Sequence, residues 1–315
     1  MVIVTAKAEA SLTKCLASLA LQTLSGFDVV VICSGCPTPQ ESTTRPAERT
    51  RFIATANRGY GAACNAGARC SDTPYLVFLN DDTELHPDCL RSLYESLSEN
   101  ENTLLQPTIY HEYAQRIMLG NPCDVYGAAG LGFYGNCGAG RFYASGALLA
   151  VSKKVFDRLG GFDEKLFLYY DDVDLSWRAR LMGYRVSCVE GAICKHTGGT
   201  SSTNMLHPVK FYLTQRNRIR VMIKNYSARR ILHRGLIACT LIVTGATFLT
   251  VSTRKVRYLT FACKTFAWNL WGLKDTLIER YKVQRKRLHD DAVIERSMSR
   301  FSMDLCVFKR RIISV

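Results

Sequence analysis

Acidic residues are scarce in the last third of the chain. Residues 205–315 hold 6 Asp and Glu against 23 Lys and Arg, while residues 1–204 hold 21 against 18. The formal net charge of +14 therefore arises in the C-terminal segment alone. This split excludes a uniformly basic protein. It describes a near-neutral domain joined to a basic appendage that meets an anionic surface. The sequence also does not open on a charged n-region, a long apolar run and a cleavage site. The 13 cysteines are odd in number and follow no repeating spacing. A disulfide framework is thereby excluded, and mostly reduced thiols in a reducing, cytoplasmic setting are expected. Cys33-x-x-Cys36 has no second pair at matching spacing. Pro37-Thr38-Pro39 stands where a redox motif would start its helix, so the pair reads as a strand-end turn. Internal repeats and low-complexity segments are absent.

What is present is a globular composition, 47% apolar and 10% aromatic over 315 residues. That suffices for one large α/β domain, 1–204, and an appendage, 205–315. Short β-branched runs at 2–5, 27–33, 51–54 and 75–79 read as buried strands. Between them, residues 11–24 carry Leu12, Cys15, Leu16, Leu19 and Ala20 at helical spacing, with Ser11 as N-cap. Residues 57–67 form a Gly-rich turn entering a small-residue helix. This alternation predicts a doubly wound, mostly parallel sheet flanked by helices. Ligands of such sheets sit at the carboxyl ends of strands, where Thr5, Cys33 and Asn80-Asp81-Asp82 fall. Further on, 127–140 is Gly-rich and reads as a loop. Residues 142–151 form an apolar run, a helix follows Asp171 to about Met182 with Gly183 at its end, and a strand runs from 186 to Lys195-His196.

Two acidic clusters carry the candidate chemistry. Asn80-Asp81-Asp82 follows a strand without a gap, and its oxygens suit Mg²⁺ or Mn²⁺, which would in turn hold a diphosphate. Spacing alone equally allows an Asx-type turn that caps the next helix. Asp171-Asp172-x-Asp174 crowds three carboxylates, which raises at least one pKa and suits a general base. An acidic helix N-terminus is the plain alternative, but Phe167 to Tyr170 makes the approach apolar. His196 ends a strand beside a Gly/Ser loop. Such a histidine is commonly structural, yet a neutral imidazole there would complete an Asp-bound metal site. Residues 57–67 match neither G-x-G-x-x-G nor a Walker A loop, but could offer Asn side chains and backbone N–H groups to a ribose or phosphate.

The ordered set resembles the inverting GT-A glycosyltransferases of family 2, in particular the rhamnosyl- and galactofuranosyl-transferase branch, from about residue 2 to 225. The motifs are Thr5, Asn57-x-Gly59 through Asn65-Ala66-Gly67, Phe78-Leu79-Asn80-Asp81-Asp82-Thr83 and Ser145-Gly146-Ala147. They continue with Gly160-Gly161-Phe162-Asp163-Glu164, Tyr170-Asp171-Asp172-Val173-Asp174-Leu175-Ser176-Trp177-Arg178 and the segment from Tyr212 to Asn217. The resemblance implies a GT-A fold and sugar transfer from a nucleotide-sugar donor to a glycan or lipid-linked acceptor. It implies Asp82 as principal metal ligand, with Asn80 and His196 beside it, and Asp172 as base. Thr5, Asn57, Asn65 and Asp81 fall on the donor side; Asp171, Trp177 and Arg178 are acceptor-side candidates. The sequence departs from the pattern at Cys33-Ser34, where an Asp is usual, and at Lys7, where an Asn is usual. Both touch the nucleotide pocket.

In 205–315, residues 211–223 are basic and amphipathic. Residues 235–251 are charge-free but contain Thr240, Thr244, Thr247 and Thr250, and fall short of the roughly 20 residues of a spanning helix. A membrane-surface segment on an anionic leaflet stands against a helical subdomain that packs or forms a homo-oligomer with its Lys and Arg wet. The competing functions are a nucleotidylyltransferase, a nucleotide-binding protein of the same fold with lost or altered activity, and a basic nucleic-acid binder. Ala6-Lys7-Ala8-Glu9 lacks the glycines of the first, and the acidic clusters have no purpose in the last, so no nucleic acid is expected.

Overall fold

The computed structural model describes residues 1–6, 10–38, 49–130, 141–198 and 207–305. They divide into two compact units. The first comprises Met1–Gly120, Tyr143–Ala179 and Tyr184–Thr203; the second comprises Asn121–Phe142, Arg180–Gly183 and Asn204–Val315. Besides the basic segment, the second unit thus takes in a stretch from the middle of the sequence.

The first unit is built on one nine-stranded sheet. Its strands are β1 Val2–Thr5, β2 Val29–Ser34, β3 Thr50–Thr55, β4 Tyr75–Asn80, β5 Thr83–Leu85, β6 Thr103–His111, β7 Arg116–Met118, β8 Leu148–Ser152 and β9 Arg185–His196. The order is β3-β2-β1-β4-β8-β6-β9-β5, with β7 beside β6. The first four pair in parallel. β8 joins β4 antiparallel, and β6 and β9 form a long parallel pair. The architecture is the expected α/β class. β2, Val-Val-Val-Ile-Cys-Ser, is buried at all six positions, which is why it reads as an unbroken apolar run.

Helices α1 Ala10–Ala20, α2 Tyr60–Arg69, α3 Cys89–Glu99, α4 Lys153–Leu159 and α5 Asp171–Leu181 accompany the sheet. On α1, Leu12, Cys15, Leu16 and Leu19 are buried at helical spacing. Ser11 is not its N-cap: the helix already includes Ala10, so Ser11 lies inside the first turn. Of the apolar run 142–151 only the second half becomes strand, because Ser145-Gly146-Ala147 turns in front of β8. Gly183 ends the turn after α5 at φ +84°.

The second unit is helical: α6 Pro208–Asn225, α7 Ala228–Thr253, α8 Arg257–Trp271, α9 Leu273–Arg285 and α10 Asp291–Glu295. His207 caps α6 through its Nδ1, and Pro208 occupies the first turn. The expected wet face of α6 is partly dry. Arg218, Arg220 and Lys224 are buried. Arg218 meets Asp304 at 2.9 Å, and Arg220 meets Asp275 at 2.9 Å and the Thr276 hydroxyl at 2.8 Å. Two of the few acidic residues of the segment, Asp275 and Asp304, thus stand where buried guanidinium groups need partners. Ile242, Ala246 and Leu249 of α7 pack with Tyr258 and Ala262 of α8, and Phe211 of α6 closes that cluster.

Candidate active site

The edge formed by the carboxyl ends of β1, β2 and β4 carries the first cluster. Register pairs Thr5 with Cys33 and Val4 with Asn80. β4 ends at Asn80, and Asp81-Asp82 make the turn into β5. β5 then pairs antiparallel with the end of β9, Thr83 opposite His196, and the Thr197 N–H donates to the Asp82 carbonyl at 3.0 Å. This pairing brings His196 to the turn: its Nε2 lies 3.1 Å from Asp82 Oδ1.

His196 has a second partner that sequence reasoning missed. His111, the last residue of β6, is in parallel register with His196, and the two Nδ1 atoms are 3.1 Å apart. One ring must donate and the other accept. Burial, and then the neighbouring His196, lower the His111 pKa to about 4, while Asp82 opposes them. His111 is therefore neutral in the physiological range. No local signal marks this residue; only the pairing of β6 with β9 reveals it.

The site suits a cation. Two neighbouring ligands of one octahedral ion lie about 3.0 Å apart when metal–ligand bonds are about 2.1 Å, and Asp82 Oδ1 and His196 Nε2 have that spacing. Asn80 ends β4 at the same edge. Among the described residues no three His, Cys, Asp or Glu side chains converge. A cation here would complete its shell with water and donor oxygens, as hard cations in phosphate sites do.

The second cluster opens α5. Three residues without glycine's freedom precede it in the left-handed region: Phe167 at φ 66°, Tyr169 at 69° and Tyr170 at 71°. Such backbone persists only where its surroundings over-determine it. Part of that determination comes from α2. The Tyr60 N–H donates to the Phe167 carbonyl at 2.8 Å. Gly59, at φ +98°, lies so close that a Cβ there would stand 2.2 Å from the same oxygen.

Asp171 and Asp172 differ in what they can do. Asp171 is buried, and burial, followed by Asp172, raises its pKa well above the carboxylate range. Asp172 is only partly buried. Its Oδ2 accepts from Gly146 N–H at 2.9 Å and its Oδ1 from Val173 N–H at 2.9 Å. Burial raises its pKa too, and these backbone donors oppose the shift. Asp172 is thus the accessible, oriented carboxylate of the pair.

Ser145-Gly146-Ala147 ties the two clusters together. The Gly146 N–H holds Asp172, and the Gly146 carbonyl accepts from Tyr60 Oη at 2.8 Å. The next carbonyl, of Ala147, accepts from Asn80 N–H at 3.1 Å and from Thr83 Oγ1 at 3.4 Å. One short segment therefore positions both the Asn80–Asp82 turn and the base candidate.

Several other candidates take structural places. Trp177 is fully buried, so it cannot meet an acceptor. Arg178 is also buried. It binds Asp174 Oδ2 through Nε at 2.8 Å and the carbonyls of Leu159 and Gly161 at 2.7 and 2.8 Å. The acceptor-side reading of both residues is corrected: they face the interior side of α5 and brace it. Burial likewise removes Asp171 from the acceptor side. Asn65 spends its amide on the 161–164 turn, accepting from Phe162 N–H at 2.9 Å and donating to the Phe162 carbonyl at 3.0 Å and to Glu164 at 3.1 Å. Asn57 is exposed, and its Oδ1 accepts from Gly59 N–H at 3.2 Å. Thr5 is buried at the end of β1, where its carbonyl meets the Cys36 thiol at 3.8 Å. Asp81 is half-buried in the turn. Burial and then Cys36 push the Cys33 thiol to about 11, and Cys33 is fully buried in the core beside Val31 and Leu79, so it stands there as a neutral group. Lys7 lies outside the described residues. All eleven described cysteines are free.

The geometry can be set beside known proteins. Glycosyl transferase family 2 matches residues 1–117, and glycosyl transferase family group 2 matches residues 75–273. The second match spans more than half of the sequence, and the chain belongs to the family-2 glycosyltransferases. A low-salt glycan biosynthesis hexosyltransferase, Agl10 of Haloferax volcanii, is 22% identical over 172 residues, which are 51% of this chain and 56% of that protein. The chain thus spans little more than half of that relative's length. The fold matches GalNAc-T7 with UDP, GalNAc and Mn²⁺ (TM-score 0.56, 14% identity, 73% of this chain and 48% of that one). It also matches the mannosyltransferase PcManGT of Pyrobaculum calidifontis in complex with GDP-Man and Mn²⁺ (TM-score 0.53, 15% identity, 90% and 84%). S. aureus TarS 1-349 is a third match (TM-score 0.51, 14% identity, 90% and 89%). At these identities the structural matches establish a GT-A fold.

Proposed function

We propose that this glycosyltransferase moves a sugar from a nucleotide-sugar donor to a hydroxyl of a glycan or lipid-linked acceptor, with inversion at the anomeric carbon. The reaction is placed in the cytoplasm, at the surface of an anionic leaflet. The observation that carries this reading is the Ser145–Ala147 segment, which aims Asp172 and sets the Asn80–Asp82 turn from adjacent peptides.

Asp172 accepts the proton of the acceptor hydroxyl as that oxygen attacks the anomeric carbon. Its half-buried carboxylate is raised in pKa, which favours proton uptake, and is held in place by two backbone N–H groups. In a single displacement the leaving nucleotide diphosphate departs from the opposite side, so the configuration inverts. Asp82 and His196, with Asn80 beside them, would hold Mn²⁺ or Mg²⁺, which would supply positive charge to offset that of a leaving diphosphate. The cation-bound relatives with UDP and GDP-Man support this assignment. Thr5 and Asp81 stand at the donor edge. Rhamnosyl or galactofuranosyl transfer is the branch-level expectation.

A thermal-shift screen of UDP-, GDP- and dTDP-sugars with Mn²⁺ or Mg²⁺ tests the reading and names the donor together. Stabilisation by one nucleotide class that disappears with EDTA is expected. No response to any donor, with or without metal, refutes it. NMR of the product's anomeric proton then decides inversion against retention.

A further inference from the structure

Helix α7 presents two unlike faces. Ala238, Ile242, Gly245, Ala246 and Leu249 are buried. From Leu232 on, the exposed face runs through Leu236, Thr240, Val243, Thr244, Thr247 and Val251, spaced as one side of a helix, and this stretch bears no charge; Arg229 and His233 are exposed at the start of the helix. Its three threonines do not offer their hydroxyls outward as donors. Thr240 Oγ1 donates to the Leu236 carbonyl, Thr244 to Thr240 and Thr247 to Val243, each at 3.0 Å. A water-facing helix usually shows charged or freely solvated polar groups there. This face shows methyl groups and turned-in hydroxyls, which suits hydrocarbon.

Arginines gather at the start of the same helix. A cavity of about 400 Å³ is lined by Val125, Arg230, Arg234, Glu295, Arg296 and Arg300. Glu295 meets both Arg230 and Arg234 at 3.3 Å. Arg296 and Arg300 are exposed at its rim. Four guanidinium groups against one carboxylate leave a strong excess of positive charge, in the fork geometry that binds phosphate oxygens.

We propose that this cavity binds the phosphate of an anionic phospholipid, with the uncharged face of α7 lying in the interfacial region of the same leaflet. The proposal rests on the membrane-surface part of the functional reading and gives it a site; it is independent of sugar transfer. At 26 residues α7 is longer than the charge-free run alone suggested and is long and apolar enough to cross a membrane. Its other side packs on α8 and α6, and in the proposed arrangement it lies along the surface.

Co-flotation of the full chain with vesicles tests the proposal. Binding to phosphatidylcholine vesicles containing phosphatidylglycerol, with little to phosphatidylcholine alone, is expected at low salt. Each basic residue at an anionic surface contributes roughly a factor of five. Arg296→Glu with Arg300→Glu should therefore lower partition by more than about tenfold. Arg257→Glu with Lys274→Glu makes the same charge change outside the cavity and should cost much less. Leu236→Glu with Val243→Glu, at exposed positions the fold tolerates, should also release the protein. Circular dichroism of each variant separates binding loss from unfolding. Five outcomes overturn the proposal. The two charge-reversal pairs could act equally, leaving only diffuse attraction. Binding could survive a high-salt wash, which means insertion. Inorganic phosphate could saturate the cavity while vesicles fail to bind, making the source a free anion. Analytical ultracentrifugation could show a dimer dissociated by Leu236→Glu with Val243→Glu, which makes the partner a second copy. Failure of the unsubstituted chain to bind anionic vesicles, with an intact donor thermal shift, would sink the proposal and leave the transferase reading standing.

Discussion

Asp172 is where the chemistry can be tested most directly. Asp172→Asn keeps the shape and removes the proton acceptor. Transfer should fall by about 10²–10⁴-fold while the donor and Mn²⁺ thermal shift remains; retained transfer would refute the base assignment. His111 gives a second test. If its Nδ1 accepts from His196 Nδ1–H, the lone pair of His196 Nε2 is left for a cation. Outer partners of metal-binding histidines are commonly worth ~10–100-fold in metal affinity. His111→Leu should weaken Mn²⁺ binding by about that amount, measured calorimetrically, and His111→Asn should recover part of it because its amide oxygen can accept the same proton. Equal affinities for both variants would assign His111 to packing. Sequence reasoning singled out Asp82, His196 and Asp172 because each stands at or beside the boundary of an element, where the pattern visibly changes. It could not find His111, which is 85 residues from His196 in sequence and reaches it only through strand register.

The elements show why other readings went astray. α5 is buried nearly all round, so its periodicity does not tell a solvent face from a core face, and Trp177 and Arg178 looked available. Arg178→Met would leave Asp174 buried without its guanidinium, which costs about 3–5 kcal/mol where one partner of a buried ion pair is lost. A large fall in Tm is expected; an unchanged Tm would show that the ion pair does not brace α5. At the other end of the braced loop, Gly59→Ala meets the Phe167 carbonyl and takes a left-handed backbone. Conformational strain of this kind costs ~1–3 kcal/mol before the clash is counted. Tm and transfer should fall together, because the loop that yields leads into Asp171-Asp172. α7, by contrast, was legible as a charge-free run. Which of its faces is covered was not, since that depends on α8 and α6.

Across the whole molecule, the charge split was plain in the sequence. That Asn121–Phe142 groups with the basic segment was not, because no composition change marks it. The order of the sheet was equally hidden: β8 enters between β4 and β6 from 68 residues beyond the end of β4. This insertion has a consequence for inheritance. The first family match ends at residue 117, before β8 and β9 have been made. A fragment cut there would keep Asp82 but lack Ala147 to fix the turn, His196 to face it and Asp172 to use it. On the proposed reading, the strands up to residue 117 are a nucleotide fold without its reaction, and the chemistry is heritable only together with the stretch through β9.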